Sequence, residues 1–199
     1  RINAAGRIYS PLDALRLLCT KDEKAAIALA DQIESHNLDR QTLTDTALTH
    51  ALEQDHTHKI TTLIGPYHEG VIGLVAGKLV EQLSRPAIVL SENGDVVKGS
   101  ARSVPGFNIT SFLRGLKTPF LGLGGHEQAA GFSISSDKVD QLIAEVSELG
   151  DKVISDELLL KREFADLELP LSAATLSLAK ALTKLEPYGL GNTKPRFLF

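Results

Sequence analysis

The chain has 199 residues, 43% of them hydrophobic and 23% charged, with a net charge of −4 and a pI of about 5.9. That balance is ordinary for one or two compact domains. No apolar run approaches the roughly 18 residues of a membrane span, and Arg1-Ile2-Asn3 opens no secretory signal. Cys19 stands alone, which excludes an internal disulfide and fits a reducing cytoplasm. The chain has no methionine and ends on the strand-like Arg196-Phe197-Leu198-Phe199. Both ends are those expected of a segment of a longer protein.

An acidic chain argues mildly against a nucleic-acid ligand, but the distribution of charge says more. From Val96 to His126 there is no Asp or Glu, while Lys98, Arg102, Arg114 and Lys117 all fall there. A local positive field of this kind suits an anion-binding cleft, and chance clustering would look the same.

In chain order, Ser10-Pro11-Leu12-Asp13 predicts a helix start, with a short helix to Cys19, read as a core or near-core residue. Thr20-Lys21-Asp22-Glu23 predicts a capping box for a long helix within residues 21 to 58, which neither proline nor glycine interrupts. Its apolar stripe weakens between Ile33 and Leu43, as expected of a connector whose ends pack on different bodies. His50, His56 and His58 near its end read as surface residues.

From Lys59 the chain becomes glycine-rich. Strands are predicted over Ile60–Ile64, Pro86–Leu90 and Val96–Ser103, and a helix over Gly70–Leu83. Asn93-Gly94 supplies a hairpin turn, and Asn108 caps a helix to Leu116. A strand begins at Ala129 and a helix at Ser136. The order β-α-β-β-α-β-α is a compact α/β sandwich. Beyond Gly150, a strand over Leu158–Leu169, an amphipathic helix over Ser172–Leu185 and a final strand are predicted.

Four segments carry candidate chemistry. Gly124-Gly125-His126-Glu127-Gln128 can bring backbone N–H groups to an anion and supply a donor or proton shuttle, although two glycines and a histidine alone fit a tight turn better. In Lys98-Gly99-Ser100-Ala101-Arg102-Ser103, strand geometry places Lys98, Ser100 and Arg102 on one face, either a phosphate pocket or a solvated edge. Arg1, Asn3 and Arg7 could line a polynucleotide cleft, though such terminal segments are commonly disordered. His68 precedes a helix start, where it either attracts an anion or caps and packs. There is no Asp-x-Asp, Asp-His-His or His-x-Asp cluster, so no metal site is expected in these residues.

Taken together these segments, with His68-Glu69-Gly70-Val71-Ile72-Gly73, Arg85-Pro86-Ala87-Ile88-Val89-Leu90 and Leu185-Glu186-Pro187-Tyr188-Gly189-Leu190-Gly191-Asn192, occur in the order seen in RecJ exonucleases of the DHH phosphoesterase superfamily. The resemblance spans nearly the whole chain. It implies an α/β fold: residues 1–58 as the end of a DHH domain and the connector helix, 59–150 as a DHHA1 domain, and 151–199 as the beginning of an OB-fold-like domain. It implies an enzyme that degrades single-stranded DNA from the 5′ end with Mn²⁺ or Mg²⁺, the metal ligands lying upstream of Arg1. None is then expected to bind this segment, which would be inactive alone. Ser100 and Arg102 match positions expected to grip the 5′-terminal phosphate. Gly125 and catalytic His126 match the loop at the scissile phosphate, and Arg1, Asn3 and Arg7 would line the interface between lobes. His68, Lys98, Ser103, Gly124 and Gln128 complete the expected substrate-binding set. Implied partners are single-stranded DNA and other DNA repair or replication proteins, with no membrane and a cytoplasmic location.

Two alternatives stand beside this reading. One is a DHHA1-bearing phosphodiesterase of oligoribonucleotides or cyclic dinucleotides, against which the OB-like tail speaks. The other is a binding module without activity in a replication complex.

Overall fold

The computed structural model describes residues 1–199 except 55, 93, 162 and 163. It comprises two compact units, Arg1–Leu160 and Lys161–Phe199. The first begins with helices α1 (Ile2–Ile8), α2 (Leu12–Cys19) and α3 (Glu23–Leu52). The arginine-flanked start is therefore helical, with Ala4 and Ala5 buried. Asp22, not Thr20, caps α3, accepting from the backbone N–H of Lys24 and Ala25.

Helix α3 is 30 residues long, about 45 Å at the usual rise. Near its start Ile33 packs with Ala5 and Ala14, and near its end Ala47, Leu48 and Ala51 join a second core. Its polar middle thus separates two apolar contacts within the one unit. Cys19 is exposed, contrary to expectation: Ala14 is the residue α2 buries. His50 and His58 lie at the surface, but both ring nitrogens of His56 are buried without a hydrogen-bond partner.

A five-stranded sheet follows, in the order β1-β2-β3-β5-β4: β1 Thr61–Gly65, β2 Ala87–Ser91, β3 Val96–Arg102, β4 Gly122–His126 and β5 Ala129–Ser135. Strands β1 and β2 are parallel, which requires the crossover helix α4 (Glu69–Leu83). The other pairings are antiparallel. Asn93 of the predicted hairpin turn lies outside the described residues; Gly94 beside it has φ +79°. Asn108 caps α5 (Ile109–Arg114), accepting from Ser111 N–H, and α6 spans Val139–Val153.

The two sheet faces bury different cores. On one, Leu63, Ala87 and Val89 pack against Val75, Ala76 and Leu79 of α4 and the end of α3. On the other, Ile88, Leu90, Val97, Ala101, Phe132 and Ile134 pack against Ile109, Leu113, Leu142 and Val146. Strand β2 lies between both layers and is buried throughout, hence its continuous apolar run. Each fully buried Leu or Ile here contributes roughly 1.5–3 kcal/mol.

Two expectations are corrected. Gly122–His126 is a strand, so the sheet has one more strand than predicted. Leu158–Leu169 is not one strand: Asp156–Leu159 is a 3₁₀ turn, residues 162 and 163 lie outside the described ones, and among the described residues of this range only Leu167–Glu168 (β6) pairs as a strand. Leu158 and Leu159 are apolar because they pack on the α6 side of the sheet.

In the second unit, β6 pairs in parallel with β7 (Phe197–Leu198). The predicted helix is shorter than expected, α7 at Leu176–Leu182, because Thr175 caps it by accepting from Leu178 N–H. Tyr188 Oη donates to Leu182 O, and Asn192 donates to the carbonyls of Leu185 and Pro187.

Candidate functional site

The α4 layer covers only part of its sheet face. Strand β3 alternates, with Val97, Gly99 and Ala101 buried and Lys98, Ser100 and Arg102 half-buried on the α4 side. Register extends that face across the sheet. Arg102 pairs with Ala129, and Ala129 with His126; Ser100 pairs with Gly131, and Gly131 with Gly124; Lys98 pairs with Ser133, and Ser133 with Gly122. Paired residues of antiparallel strands present their side chains to the same face. The floor beyond β3 is therefore nearly bare, since a Cβ added at Gly122, Gly124 or Gly131 would meet nothing within 4 Å.

One wall of this trough is cationic. Gly73 of α4 lies over β3, where an added Cβ would stand 3.1 Å from Ser100 Oγ and 3.3 Å from Arg102 Nη2. Arg102 Nη1 donates to its neighbour's carbonyl, Ala101 O, at 3.1 Å. Burial lowers the Arg102 guanidinium from its ordinary value, and the positive charge of Arg7 lowers it further. A guanidinium stays charged nonetheless, so two like charges, Arg7 and Arg102, act on each other here. No described carboxylate pairs with either. Such an arrangement accommodates a dianion bonded by several N–H groups. His68 caps α4 beside it, its Nδ1 accepting from Gly70 N–H at 3.0 Å. That bond leaves the proton of a neutral imidazole on Nε2.

His126 forms the far wall. It lies two strands from Arg102 in the same row, about 10 Å away at ordinary strand spacing. It is exposed, as are Gly124, Gly125 and Gln128. Gly125 has φ +154°, and a Cβ there would run into Ala129 O and Ala130 Cα, so this position requires glycine.

The remaining candidates fall elsewhere. Lys98 Nζ donates to Ser133 Oγ at 3.1 Å, on the third row of the trough. Ser103 is buried, and its hydroxyl donates to Phe107 O at 2.6 Å, closing a turn. Arg1 pairs with Glu34 at 3.0 Å and, with Asn3, lines a separate groove beside Leu17 and Ile33. Gly70 and Gly73 had no place among the predicted ligands. Their signal is helical spacing: Gly70, Gly73 and Gly77 share one face of α4.

Residues 58–150 match the DHHA1 domain, and residues 165–199 match the RecJ OB domain. The chain belongs to the RecJ family. All of it aligns with the single-stranded-DNA-specific exonuclease RecJ of Bacillus subtilis at 33% identity, and with that of Thermus thermophilus at 35%. It spans only 26% and 29% of those two RecJ relatives. The crystal structure of Thermus thermophilus RecJ in complex with Mg²⁺ superimposes with a TM-score of 0.85 at 34% identity, covering 98% of this chain and 31% of that one. A RecJ bound to manganese superimposes with a TM-score of 0.70 at 32% identity, over 78% of this chain and 40% of that one. The fold is thus that of RecJ: connector helix, mixed sheet, then an OB-like segment. Divalent metal ions accompany RecJ in those structures. Among the described residues here, no group of three or more His, Cys, Asp or Glu could hold one. Among the described residues, no helix is long and apolar enough to cross a membrane.

Proposed function

We propose that this chain is the substrate-gripping part of a 5′-to-3′ single-stranded-DNA exonuclease. The observation that carries the reading is Arg102, which no described carboxylate pairs and which feels the charge of Arg7, beside Ser100 under Gly73, with His126 two strands away in the same row and the glycine floor of Gly131 and Gly124 in the row alongside. The cluster takes the 5′-terminal phosphate: Arg102 supplies charge-assisted hydrogen bonds, Arg7 adds charge, and Ser100 donates its hydroxyl. The first nucleotide crosses the bare floor of Gly131 and Gly124. The next phosphodiester then reaches His126, whose imidazole can donate to a phosphate oxygen. His68 Nε2–H and Lys98 serve as further donors at the margins.

The part proposed for this chain is recognition and positioning. The Mn²⁺ or Mg²⁺ of the family finds no ligand set among the described residues, and we assign it to a DHH domain outside these 199 residues. The chain alone is accordingly inactive. We place the enzyme in the cytoplasm, working with other DNA repair or replication proteins.

The test is binding by fluorescence anisotropy, with one oligodeoxynucleotide carrying either a 5′-phosphate or a 5′-hydroxyl. The chain should prefer the phosphorylated end and lose affinity as salt rises, with a shallow slope because few phosphates are neutralised. Equal affinity for both ends, or release of mononucleotides by the pure chain with Mn²⁺, overturns the reading.

A further inference from the structure

Strand β4 ends on His126, and the four consecutive carbonyls from His126 to Ala129 are held from below. Thr110 Oγ1 donates to His126 O at 2.5 Å and reaches Ala129 O at 3.4 Å. Ile109 N–H donates to Glu127 O at 2.9 Å, and Ser103 N–H to Gln128 O at 3.0 Å. Two of these donors are backbone groups that any sequence would supply. The third is a side chain, and Thr110 is 4% exposed. It also faces the constrained glycine: a Cβ on Gly125 would stand 2.9 Å from Thr110 Oγ1.

An exposed histidine at the end of an edge strand, next to a two-residue turn, would ordinarily move with that turn. Here the turn is bolted to the first turn of α5, which is itself fixed in the core by Ile109 and Leu113. We infer that Thr110 is the positioning residue for His126, its buried hydroxyl holding the turn so that the imidazole meets the phosphodiester in one place. Thr110 touches no ligand. It acts through the backbone carbonyl of the residue it positions, and the inference rests on the proposed role of His126.

The test compares the chain with its Thr110→Val and Thr110→Ser variants by NMR. Two probes report on the two sites: thymidine 5′-monophosphate for the Arg102 cluster, and a nuclease-resistant phosphorothioate of thymidylyl-thymidine for His126. Valine, nearly isosteric, should reduce hydrogen-exchange protection across the turn about tenfold, the usual weight of one hydrogen bond. It should weaken the response of the His126 ring to the diester by a similar factor while leaving the monophosphate titration unchanged. Serine should restore both. Thr110→Ala, which removes the hydroxyl without crowding the turn, replaces valine if that variant does not fold. Unchanged protection and unchanged His126 response in the valine variant overturn the inference. So does an equal loss for both probes, which marks general destabilisation. If the unaltered chain's His126 ring ignores the diester, the role proposed for His126 fails, while the exchange data still decide whether Thr110 holds the turn.

Discussion

The carbonyl oxygen of Arg7 rests against Gly70, so closely that a Cβ on Gly70 would overlap it. This contact seats the end of α1 on the first turn of α4, the helix whose Gly73 lies over Arg102, and the charge of Arg7 is felt at Arg102. Gly70→Ala should push α1 away and separate the two charges. The expected result is a loss of about tenfold or more in preference for a 5′-phosphorylated oligonucleotide, the weight of one charge-assisted contact. Circular dichroism should show the fold retained, because the α4 side of the sheet packs through other residues. Unaltered end preference would mean that Arg7 takes no part in gripping the phosphate.

Arg102 and Ser103 are neighbours on which the proposed reading expects different effects. Arg102→Ala should weaken binding of the phosphorylated end by about 1.5–3 kcal/mol, roughly ten- to a hundredfold, and leave a 5′-hydroxyl end nearly unaffected. Ser103→Ala should leave binding alone and lower stability by about 1 kcal/mol, since its hydroxyl serves the turn at Phe107. Anisotropy and urea denaturation separate the two. An equal loss on both ends in Arg102→Ala would make it a general backbone clamp.

The sheet's interior was legible because burial writes a period into sequence. Lys98, Ser100 and Arg102 alternate with Val97, Gly99 and Ala101, and the structure places them on one face. Strand β4 was not legible, because Gly122, Gly124 and Gly125 carry no side chain from which a period could be read; pairing with β5 makes them a strand. Ser103 has the parity of the buried Val97, Gly99 and Ala101 rather than of Arg102, and although it lies past the strand's end it is buried as they are. The Arg7–Arg102 approach joins residues far apart in the chain through a glycine contact, which no local pattern records. Leu158 and Leu159 misled because an apolar pair reads alike in a strand and in a packed turn.

Acid should loosen the junction between β1 and α6. Asp151 accepts from Lys59 N–H and lies 2.8 Å from His58 Nδ1. Its carboxyl is held below the ordinary carboxylate value, chiefly by the Lys59 backbone hydrogen bond and then by His58. A carboxylate whose folded-state value is depressed stabilises the fold above its unfolded value, and that contribution disappears as pH falls through the folded one. Asp151→Asn should therefore flatten the acid limb of the stability curve, below the ordinary Asp range, and change it little near neutrality beyond a constant offset. Parallel curves for the two proteins down to the acid transition would show that Asp151 does not link stability to pH.

Gly124 and Gly125 are adjacent, yet an added methyl should act on different properties at each. At Gly124 a Cβ meets nothing within 4 Å, and the strand backbone accepts alanine readily, so stability should change by less than about 0.5 kcal/mol. That methyl nevertheless stands on the trough floor, in the row of Ser100 and Gly131 and two residues along β4 from His126, where the first nucleotide is proposed to cross. Gly124→Ala should therefore weaken oligonucleotide binding without shifting the unfolding midpoint. At Gly125 the methyl has nowhere to go: Ala129 O and Ala130 Cα occupy its place, and φ is +154°. Gly125→Ala should cost about 1–3 kcal/mol, visible in urea denaturation, with binding impaired through displacement of the turn that carries His126. Gly124→Ala binding at full strength would mean that substrate does not lie across this floor, and the route from terminal phosphate to His126 would have to run elsewhere.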